Sequence, residues 1–447
     1  MPQDADALNL LRDLIARARK AGADAADAVL FEGVSMSHAQ RLGKTEKLER
    51  SEHYDLGLRV FFGKRQAIAS SNDRSSAALS ELVDRAIAMA RAVPEDPFCG
   101  LAAPEELAHD WPDLEGEDPE EPSAALLIAR AKAAEEAALA VPGVTNSEGA
   151  EAGWNRGFVA LAASNGFAGA HSGSGHSVSA AVLAGSGAGM ERDYDFSSAT
   201  WAADLADPAA IGKSAGERAV RRLGARKVAT RQVPIVFDPR VARSLLGHLI
   251  GAISGPAIAR GTSFLKDKLG QRIFAEGITI IDDPHRRRGL RSKPFDGEGI
   301  ANRRRALVDD GVLTTWLLDL RSARQLGLAT TGHAARGTSS PPTPAPTNLW
   351  LEPGKVTRET LLADIGEGFY VTELMGFGVN GVTGDYSRGA AGFWIEKGEL
   401  AYPVSEVTIA GNLKEMFLHL AAADDLEFKT GSDAPTLRID GMTLAGS

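Results

Sequence analysis

The sequence predicts an α+β protein: an N-terminal domain with helices layered on a sheet rich in antiparallel strands, and a C-terminal domain that is β-rich and barrel-like. Its 447 residues are too many for one ordinary domain and suit two or three. Helical and strand-like segments come in separate groups rather than alternating as βαβ units, which favours α+β. The 48 glycines predict many turns and bulges. We place the domains at residues 1–225 and 231–447.

The elements of the N-terminal half follow from hydrophobic spacing. Leu8, Leu11 and Ile15 recur at steps of three and four, and Gly22 is a stop signal for that helix. The apolar run 56–62 is followed by a hairpin-like turn and predicts a strand. The predicted elements are helices over 6–21, 77–92, 123–140 and 208–223, and strands over 28–31 and 56–62.

Residues 104–122 form an acidic segment between these elements. The segment holds nine Asp or Glu, no Lys or Arg, and four prolines. This composition predicts an exposed, irregular linker. An acidic run can bind a metal ion or a basic partner, but a solvated connection is the ordinary role of such a segment.

The stretch from Gly157 to Met190 has 34 residues and no charged side chain. That length is enough to span a bilayer. However, eight glycines, six serines and two histidines interrupt the stretch, so its apolar residues come only in short runs. We therefore predict strands with tight turns, and no membrane association.

The C-terminal half opens with an apolar strand over 233–237 and a helix from about Arg240. Val241, Leu245 and Leu249 lie at steps of four and predict one buried face for this helix. Four prolines and the lack of charge over 338–347 predict an extended, irregular loop. The other predicted elements are strands over 277–281, 305–308 and 311–313, a short helix after Thr357, and a last helix near 412–420.

The single cysteine, Cys99, and the nine histidines limit the chemistry. One cysteine excludes an internal disulfide, a CxxC redox pair and a zinc site with several cysteines in one chain. The net charge of −10 argues against binding nucleic acid or an anionic membrane. The N-terminus shows no basic and apolar signal pattern, so we expect a cytoplasmic protein.

Two patterns match cofactor or catalytic motifs only in part. Residues 376–381 match GxGxxG, but residues 382–389 are too rich in turn formers to begin the helix that would hold a pyrophosphate. We interpret this segment as bulges and turns in a β domain. The segments 173–175 and 185–187 lack the GxSxG spacing of a nucleophile elbow, so a serine hydrolase is only a third hypothesis.

The histidines form no recognisable metal site. His171 and His176 are five residues apart and would face opposite sides of a strand. His248 has no second ligand one helical turn away, so we interpret it as a core or partner contact. A metal shared across a dimer interface through His171, His176 or His285 stays open.

A basic cluster lies between residues 286 and 305. It contains Arg286-Arg287-Arg288, Arg291, Lys293 and Arg303-Arg304-Arg305, interrupted by Asp296 and Glu298. One interpretation is a contact with a phosphate, a carboxylate or an acidic partner. The other is composition alone, because Arg far outnumbers Lys in this chain.

Several short segments occur in an order typical of one family. They are RGTSFL at 260–265, ITIIDD at 278–283, DGEG at 296–299, GVL at 311–313, PTNL at 346–349 and GDY at 384–386. GLRV at 57–60 and SND at 71–73 fit as well. Over nearly its whole length the chain resembles the TldD/PmbA family, the so-called modulators of DNA gyrase, which are cytoplasmic peptidase subunits.

The resemblance implies where a metal site would lie. TldD-type chains carry HExxxH on the helix before the RGTS-like segment: two histidines bind zinc, the glutamate is the general base, and a cysteine near the GDF-like segment completes the site. Counting back from Gly261, these positions hold Leu246, Gly247 and Gly251, and no cysteine occurs near residues 384–386. The chain therefore resembles the PmbA/TldE branch, and we expect no metal ligand, catalytic residue or cofactor in it.

The resemblance also implies a function. We expect a subunit that is inactive alone and pairs with a TldD-like chain, which supplies the zinc, to degrade or process peptides. This chain would shape the cavity and gate access to it. Five polar residues in the family-like segments are expected to line that cavity: Thr262, Ser263, Thr347, Asn348 and Asp385. The alternative is a homodimeric peptide-binding or regulatory protein of the gyrase-modulator type, without peptidase activity.

Overall fold

The computed structural model describes residues 2–446, with side chains from residue 4 onward. The strands of the first half are β1 (Ala25–Arg41), β2 (Lys44–Phe62), β3 (Arg65–Ser71), β4 (Val144–Ala163), β5 (Ala168–Ala184) and β6 (Glu191–Ala199). They form one antiparallel sheet in the order β3-β2-β1-β4-β5-β6. The uncharged stretch 157–190 lies mainly in β4 and β5, as predicted, and no helix of the described chain is long and apolar enough to cross a membrane.

Four helices cover one face of this sheet. They are α1 (Pro2–Lys20), α2 (Ser76–Ala92), α3 (Ala124–Leu139) and α4 (Pro208–Arg221). Apolar residues of α1 and α2 pack on one end of the long strands, and those of α3 and α4 pack on the other end. Ser75, Ser123 and Asp207 cap three of these helices by accepting hydrogen bonds from backbone N–H groups.

The opposite face of the sheet packs against the second half of the chain. Val29 and Leu161 contact a cluster that contains Phe167, Phe295 and Ile300. This contact buries the face that a two-layer sheet would otherwise leave to solvent. Ionisable residues of both halves are also buried at this seam, and they are described below.

The acidic segment 104–122 is exposed only in part, and its role as a linker stays a prediction. Leu107 and Leu114 are buried, and Leu107 packs with the aromatic cluster at the seam. Glu115 pairs with Arg287 and Arg288. The segment is irregular, as expected, and Glu115 connects it to two arginines that lie far away in the sequence, in the second half of the chain.

The second half contains a closed barrel of five strands. The strands of the whole second half are β7 (Arg231–Phe237), β8 (Ile280–Asp283), β9 (Arg305–Asp309), β10 (Val312–Leu313), β11 (Ala334–Ala335), β12 (Thr343–Pro344), β13 (Asn348–Leu351), β14 (Glu367–Val379), β15 (Asp385–Glu396), β16 (Glu399–Asn412), β17 (Leu420–Ala422), β18 (Ser432–Asp433) and β19 (Leu437–Ala445). The barrel strands are β7, β14, β15, β16 and β19, and the ring closes because β16 pairs with both β15 and β19. A smaller sheet has the order β10-β9-β8-β13-β18.

Five short or medium helices complete this half. They are α5 (Pro239–Ile253), α6 (Gly255–Ala259), α7 (Leu320–Leu326), α8 (Arg358–Leu362) and α9 (Leu413–Leu418). α5 directs Leu245, Leu249 and Ile253 into a core that also contains Phe237 and Ile409 of the barrel. The helix therefore packs on the barrel through the apolar stripe that the spacing predicts.

The predicted fold class is confirmed. The GxGxxG segment lies at the end of β14, where the pairing with β15 shifts register between Met375 and Gly378. It is therefore a bulge in a β-hairpin, as predicted, and not a dinucleotide loop. The division at residues 226–230 falls between α4 and β7, and it stays a prediction as a domain boundary.

Candidate functional site

Helix α5 has one buried face and one open face. Asp238 accepts a hydrogen bond from Arg240 N as the N-cap, and Pro239 takes the first helical position, where its missing N–H costs nothing. On the open face, Gly247 and Gly251 are exposed, and an ideal Cβ on either would meet no heavy atom within 4 Å. The helix thus presents bare backbone to its surroundings.

The residues at this face do not fit a zinc ion. Leu246 is 1% exposed and belongs to the apolar core, and Gly247 and Gly251 have no side-chain donor. Zinc in proteins needs Cys, His or carboxylate ligands. Within residues 4–446 no group of three His, Cys, Asp or Glu side chains is placed to hold a metal ion.

The segment after α6 is tied to the end of α5. Ser263 Oγ donates to Ala252 O at 2.6 Å and accepts from Leu265 N at 3.0 Å. Thr262 is exposed, and its hydroxyl lies 3.4 Å from Ala257 O. Two of the five predicted cavity residues therefore lie beside the open helix, where Ser263 is buried and has a clear structural role.

Asp385 is the first residue of β15, directly after the turn that follows β14, and it lies next to the same segment. Phe264 N donates to Gly381 O at 3.0 Å, which joins the turn to the segment after α6. Hydrogen bonds from Thr383 and then Asn412 lower the pKa of Asp385. The carboxylate is exposed, so it is charged and accessible beside α5.

The side chains of His248, in α5, and Tyr386, in β15, contact each other. Their ring centroids are 5.8 Å apart in an edge-on arrangement. Burial, with Arg388 adding to it, lowers the pKa of His248, and burial raises the pKa of Tyr386. The hydroxyl of Tyr386 and Nε2 of His248 have no hydrogen-bond partner in the described chain. Sequence reasoning passed over Tyr386, although GDY at 384–386 contains it.

Thr347 and Asn348, the other two predicted cavity residues, do not lie beside the open face of α5. Thr347 donates through N and Oγ1 to Asp282, at 2.6 and 2.7 Å. Asn348 Nδ2 donates to Asp283 O and Ser292 Oγ, both at 2.8 Å. Both residues are at least 98% buried. Their position in a substrate cavity stays a prediction, and their visible role is to hold β13 against β8.

The three remaining histidines of interest have separate surroundings. Burial, with Lys293 adding to it, lowers the pKa of His171 to about 4, and the ring packs edge-on against Phe295. His176 Nε2 is 3.1 Å from Asp118, and His285 Nε2 is 2.7 Å from Asn302 Oδ1. Any metal shared by these histidines across an interface would need ligands from a second chain.

A buried charge network at the seam was not expected from the sequence. Asp27 of β1 accepts from Arg59 Nε at 2.9 Å and from Arg336 Nη1 at 2.7 Å. Burial opposes ionisation of Asp27, but Arg336 and Arg59 outweigh it and lower the pKa. Glu298 Oε1 lies 3.9 Å from Arg59 Nη1, and its Oε2 accepts from Leu320 N. The network ties the first sheet to the second half; its sequence signals were DGEG at 296–299 and GLRV at 57–60, which contain Glu298 and Arg59.

Comparison with known proteins gives a consistent result. Models of the PmbA/TldA metallopeptidase match as domain 1 over residues 26–90, as the central domain over 117–223 and as the C-terminal domain over 230–446. The chain is 39% identical to Metalloprotease PmbA of Escherichia coli O157:H7, over 95% of this chain and 92% of that protein. It is 36% identical to a Metalloprotease PmbA homolog of Haemophilus influenzae, over 96% and 94%.

Solved structures have the same fold. A candidate modulator of DNA gyrase from Bacteroides thetaiotaomicron superposes with a TM-score of 0.91 at 30% identity, over 98% of both chains. TldE from Thermococcus kodakarensis superposes with a TM-score of 0.87 over 98% and 100%, and at 21% identity this likeness shows the fold alone. Fold and site thus define a metalloprotease-like protein whose α5 lacks metal ligands. The chain belongs to the PmbA/TldD family.

Proposed function

We propose that this chain is the non-metallated subunit of a two-component metallopeptidase that degrades or processes peptides. Its partner is a TldD-like chain, which supplies the zinc and the general base. This chain shapes the cavity around the peptide and controls access to it. It has no peptidase activity alone.

The residues on α5 carry this proposal. The side chain of Leu246 is part of the apolar core and has no atom that can bind a metal ion, so this position supplies no ligand. Gly247 and Gly251 leave the backbone bare, so a peptide chain can approach α5 closely. Such a face suits a wall of a peptide cavity better than a catalytic centre.

An exposed apolar hairpin beside this face supports contact with a second chain. Met375, Phe377 and Val382, in and after β14, are 45%, 98% and 56% exposed. Single exposed apolar residues are ordinary, but three on one hairpin are typical of an interaction surface. A partner seated there would lie next to α5 and close the cavity.

The direct test is reconstitution with the TldD-like chain from the same genome. The mixture is expected to form a complex that cleaves unfolded peptides, and this chain alone should cleave none. Replacing Gly251 with Trp is expected to lower cleavage by the complex while leaving assembly intact. Gly366→Trp is the matched control, because Gly366 is also exposed and open. Full cleavage by this chain alone would refute the proposal.

A second function is a homodimeric peptide-binding or regulatory protein without peptidase activity. The likeness to the Bacteroides protein described as a candidate modulator of DNA gyrase favours it. The same experiment separates the two functions. A chain that forms only homodimers, together with a partner that cleaves equally well with or without it, would support the regulatory role and exclude the two-component peptidase.

A further inference from the structure

A cavity lies at the end of β6, where two loops of the second half meet the first sheet. Its volume is about 280 Å³. We call it the arginine cavity, and its walls include Ser198, Arg286, Arg287, Arg288, Phe428 and Asp433. It contains the first three arginines of the basic cluster at residues 286–305, whose role the sequence analysis left open.

The three arginines differ in how they are neutralised. Arg287 and Arg288 both pair with Glu115, and Arg288 also lies 3.1 Å from Asp204 and stacks on Trp201. Arg286 has no carboxylate within ion-pair distance among the residues described. Its positive charge is therefore the one in this cavity that is left for a ligand.

The guanidinium of Arg286 is held in place by an aromatic ring. Its central carbon lies 3.8 Å from the centroid of Phe428, and Phe428 packs edge-on against Trp350 at 5.5 Å. Stacking fixes the plane of the guanidinium and leaves the N–H groups at its edge free. A planar fork fixed in this way matches the two oxygens of a carboxylate.

The negative groups around the cavity limit what can bind. Asp433 accepts hydrogen bonds from Thr430 and Gly431, and Asp204 pairs with Arg288, so neither neutralises Arg286 by direct contact. Both would repel an ion that carries several charges. Burial lowers the pKa of Arg286, and the carboxylates of Asp433 and Asp283 offset this effect only in part, so the charge of Arg286 is not fully compensated. A compact single negative charge therefore fits better than a phosphate or a nucleic acid.

We propose that the arginine cavity binds a carboxylate group of a peptide, from its C-terminus or from an acidic side chain. Arg286 holds the two oxygens, and the hydroxyl of Ser198, which makes no hydrogen bond within residues 4–446, is the second donor. The proposal rests on the proposed function only in taking the ligand to be a peptide. The cavity would anchor one part of a substrate at a distinct place on this chain.

Calorimetric titration of the full chain tests this proposal. The probes are acetyl-trialanine with a free C-terminal carboxylate, its C-terminal amide, acetyl-Ala-Glu-Ala-amide, succinate and inorganic phosphate. We expect both carboxylate peptides to bind and the amide of trialanine not to bind. Arg286→Gln should weaken carboxylate binding roughly tenfold or more, as expected on losing a charge-assisted pair. Arg304→Gln, the control, lies outside the cavity, pairs with Glu352 and should leave binding unchanged.

Four outcomes overturn the proposal. They are equal binding of the acid and the amide of trialanine, tighter binding of phosphate than of succinate, unchanged affinity in Arg286→Gln, and no binding of any carboxylate probe. If Arg286→Gln does not fold, Arg286→Lys carries the test, because it keeps the charge but not the planar fork and should still weaken binding. The titration contains no TldD-like partner, so a failure of the carboxylate proposal would not refute the peptidase proposal. A failure of the peptidase proposal would likewise not refute carboxylate binding.

Discussion

Glu298 shows how strongly the seam between the two halves acts on a single residue. Its carboxyl group is buried, and burial raises its pKa to about 8, against the opposing effect of Arg59. The pKa of the neighbouring Asp296 is raised by burial as well. At neutral pH the folded chain therefore keeps a proton on Glu298 that the unfolded chain releases.

This proton makes the stability of the protein depend on pH. The folded pKa of Glu298 lies above its ordinary value of 4.5, so the contribution of Glu298 to the free energy of unfolding should fall as pH rises from about 4.5 to about 8. Urea unfolding at several pH values should show the free energy of unfolding of the unmutated chain falling relative to that of Glu298→Gln across this range. Glu46→Gln, at an exposed position, is the control and should follow the unmutated profile. Parallel profiles for all three would contradict the account.

Asp27 leads to a prediction about the buried ion pairs. It is 2% exposed and neutralises Arg59 and Arg336, which are also buried. Asp27→Asn would leave two buried guanidinium groups without their common partner, so we expect a loss of about 3–5 kcal/mol in the free energy of unfolding. Asp13→Asn removes an exposed pair with Arg17 and should cost less than about 0.5 kcal/mol. Similar losses in the two variants would show that the seam network contributes little.

These seam residues could not be found from local pattern. Asp27, Arg59 and Arg336 are separated by up to 309 positions, and no spacing rule connects them. In contrast, the resemblance fixes the distance from Gly261, so Leu246, Gly247 and Gly251 were matched to the metal positions from the sequence alone, and this assignment stays a prediction. A motif thus allows an assignment where it sets the register, and no such assignment is possible where only the fold brings the residues together.

At the scale of the element, α5 and α4 show two uses of glycine. Gly247 in α5 faces open space, while an ideal Cβ on Gly212 of α4 would lie 1.8 Å from Ala134 O of α3. Gly247→Ala should therefore stabilise the protein by up to about 1 kcal/mol, through helix propensity alone. Gly212→Ala should destabilise it, because α3 and α4 must move apart. Thermal unfolding measures both, and a destabilised Gly247→Ala would mean that something already covers the open face of α5.

Elements were predictable where hydrophobic spacing or a cap marks them. The four helices predicted in the first half and the short helix after Thr357 were found, because apolar stripes and caps are local signals. Strands β1 and β2 extend far beyond the apolar runs 28–31 and 56–62. The outer residues of β2 are mostly polar and exposed, whereas His38 and Gln40 in the outer part of β1 are buried polar residues. Backbone pairing in the hairpin continues without a regular apolar alternation.

At the scale of the molecule, the barrel depends on pairing between distant strands. β7 pairs in parallel with β14, whose partnered residues lie more than 130 positions later in the sequence. Such pairing leaves no local trace, so the barrel-like class was predictable but its strand order was not. The same holds for the predicted cavity residues: three lie beside α5, and Thr347 and Asn348 lie in the smaller sheet's hydrogen-bond network.

The zinc content of the isolated, tag-free chain tests the central claim most directly. After exposure to zinc and dialysis, metal analysis should find no stoichiometric zinc in this chain, because its α5 positions offer no ligand. The TldD-like chain, treated in the same way, should retain zinc, and so should the mixed complex. Stoichiometric zinc held by this chain alone, together with peptide cleavage, would contradict the account.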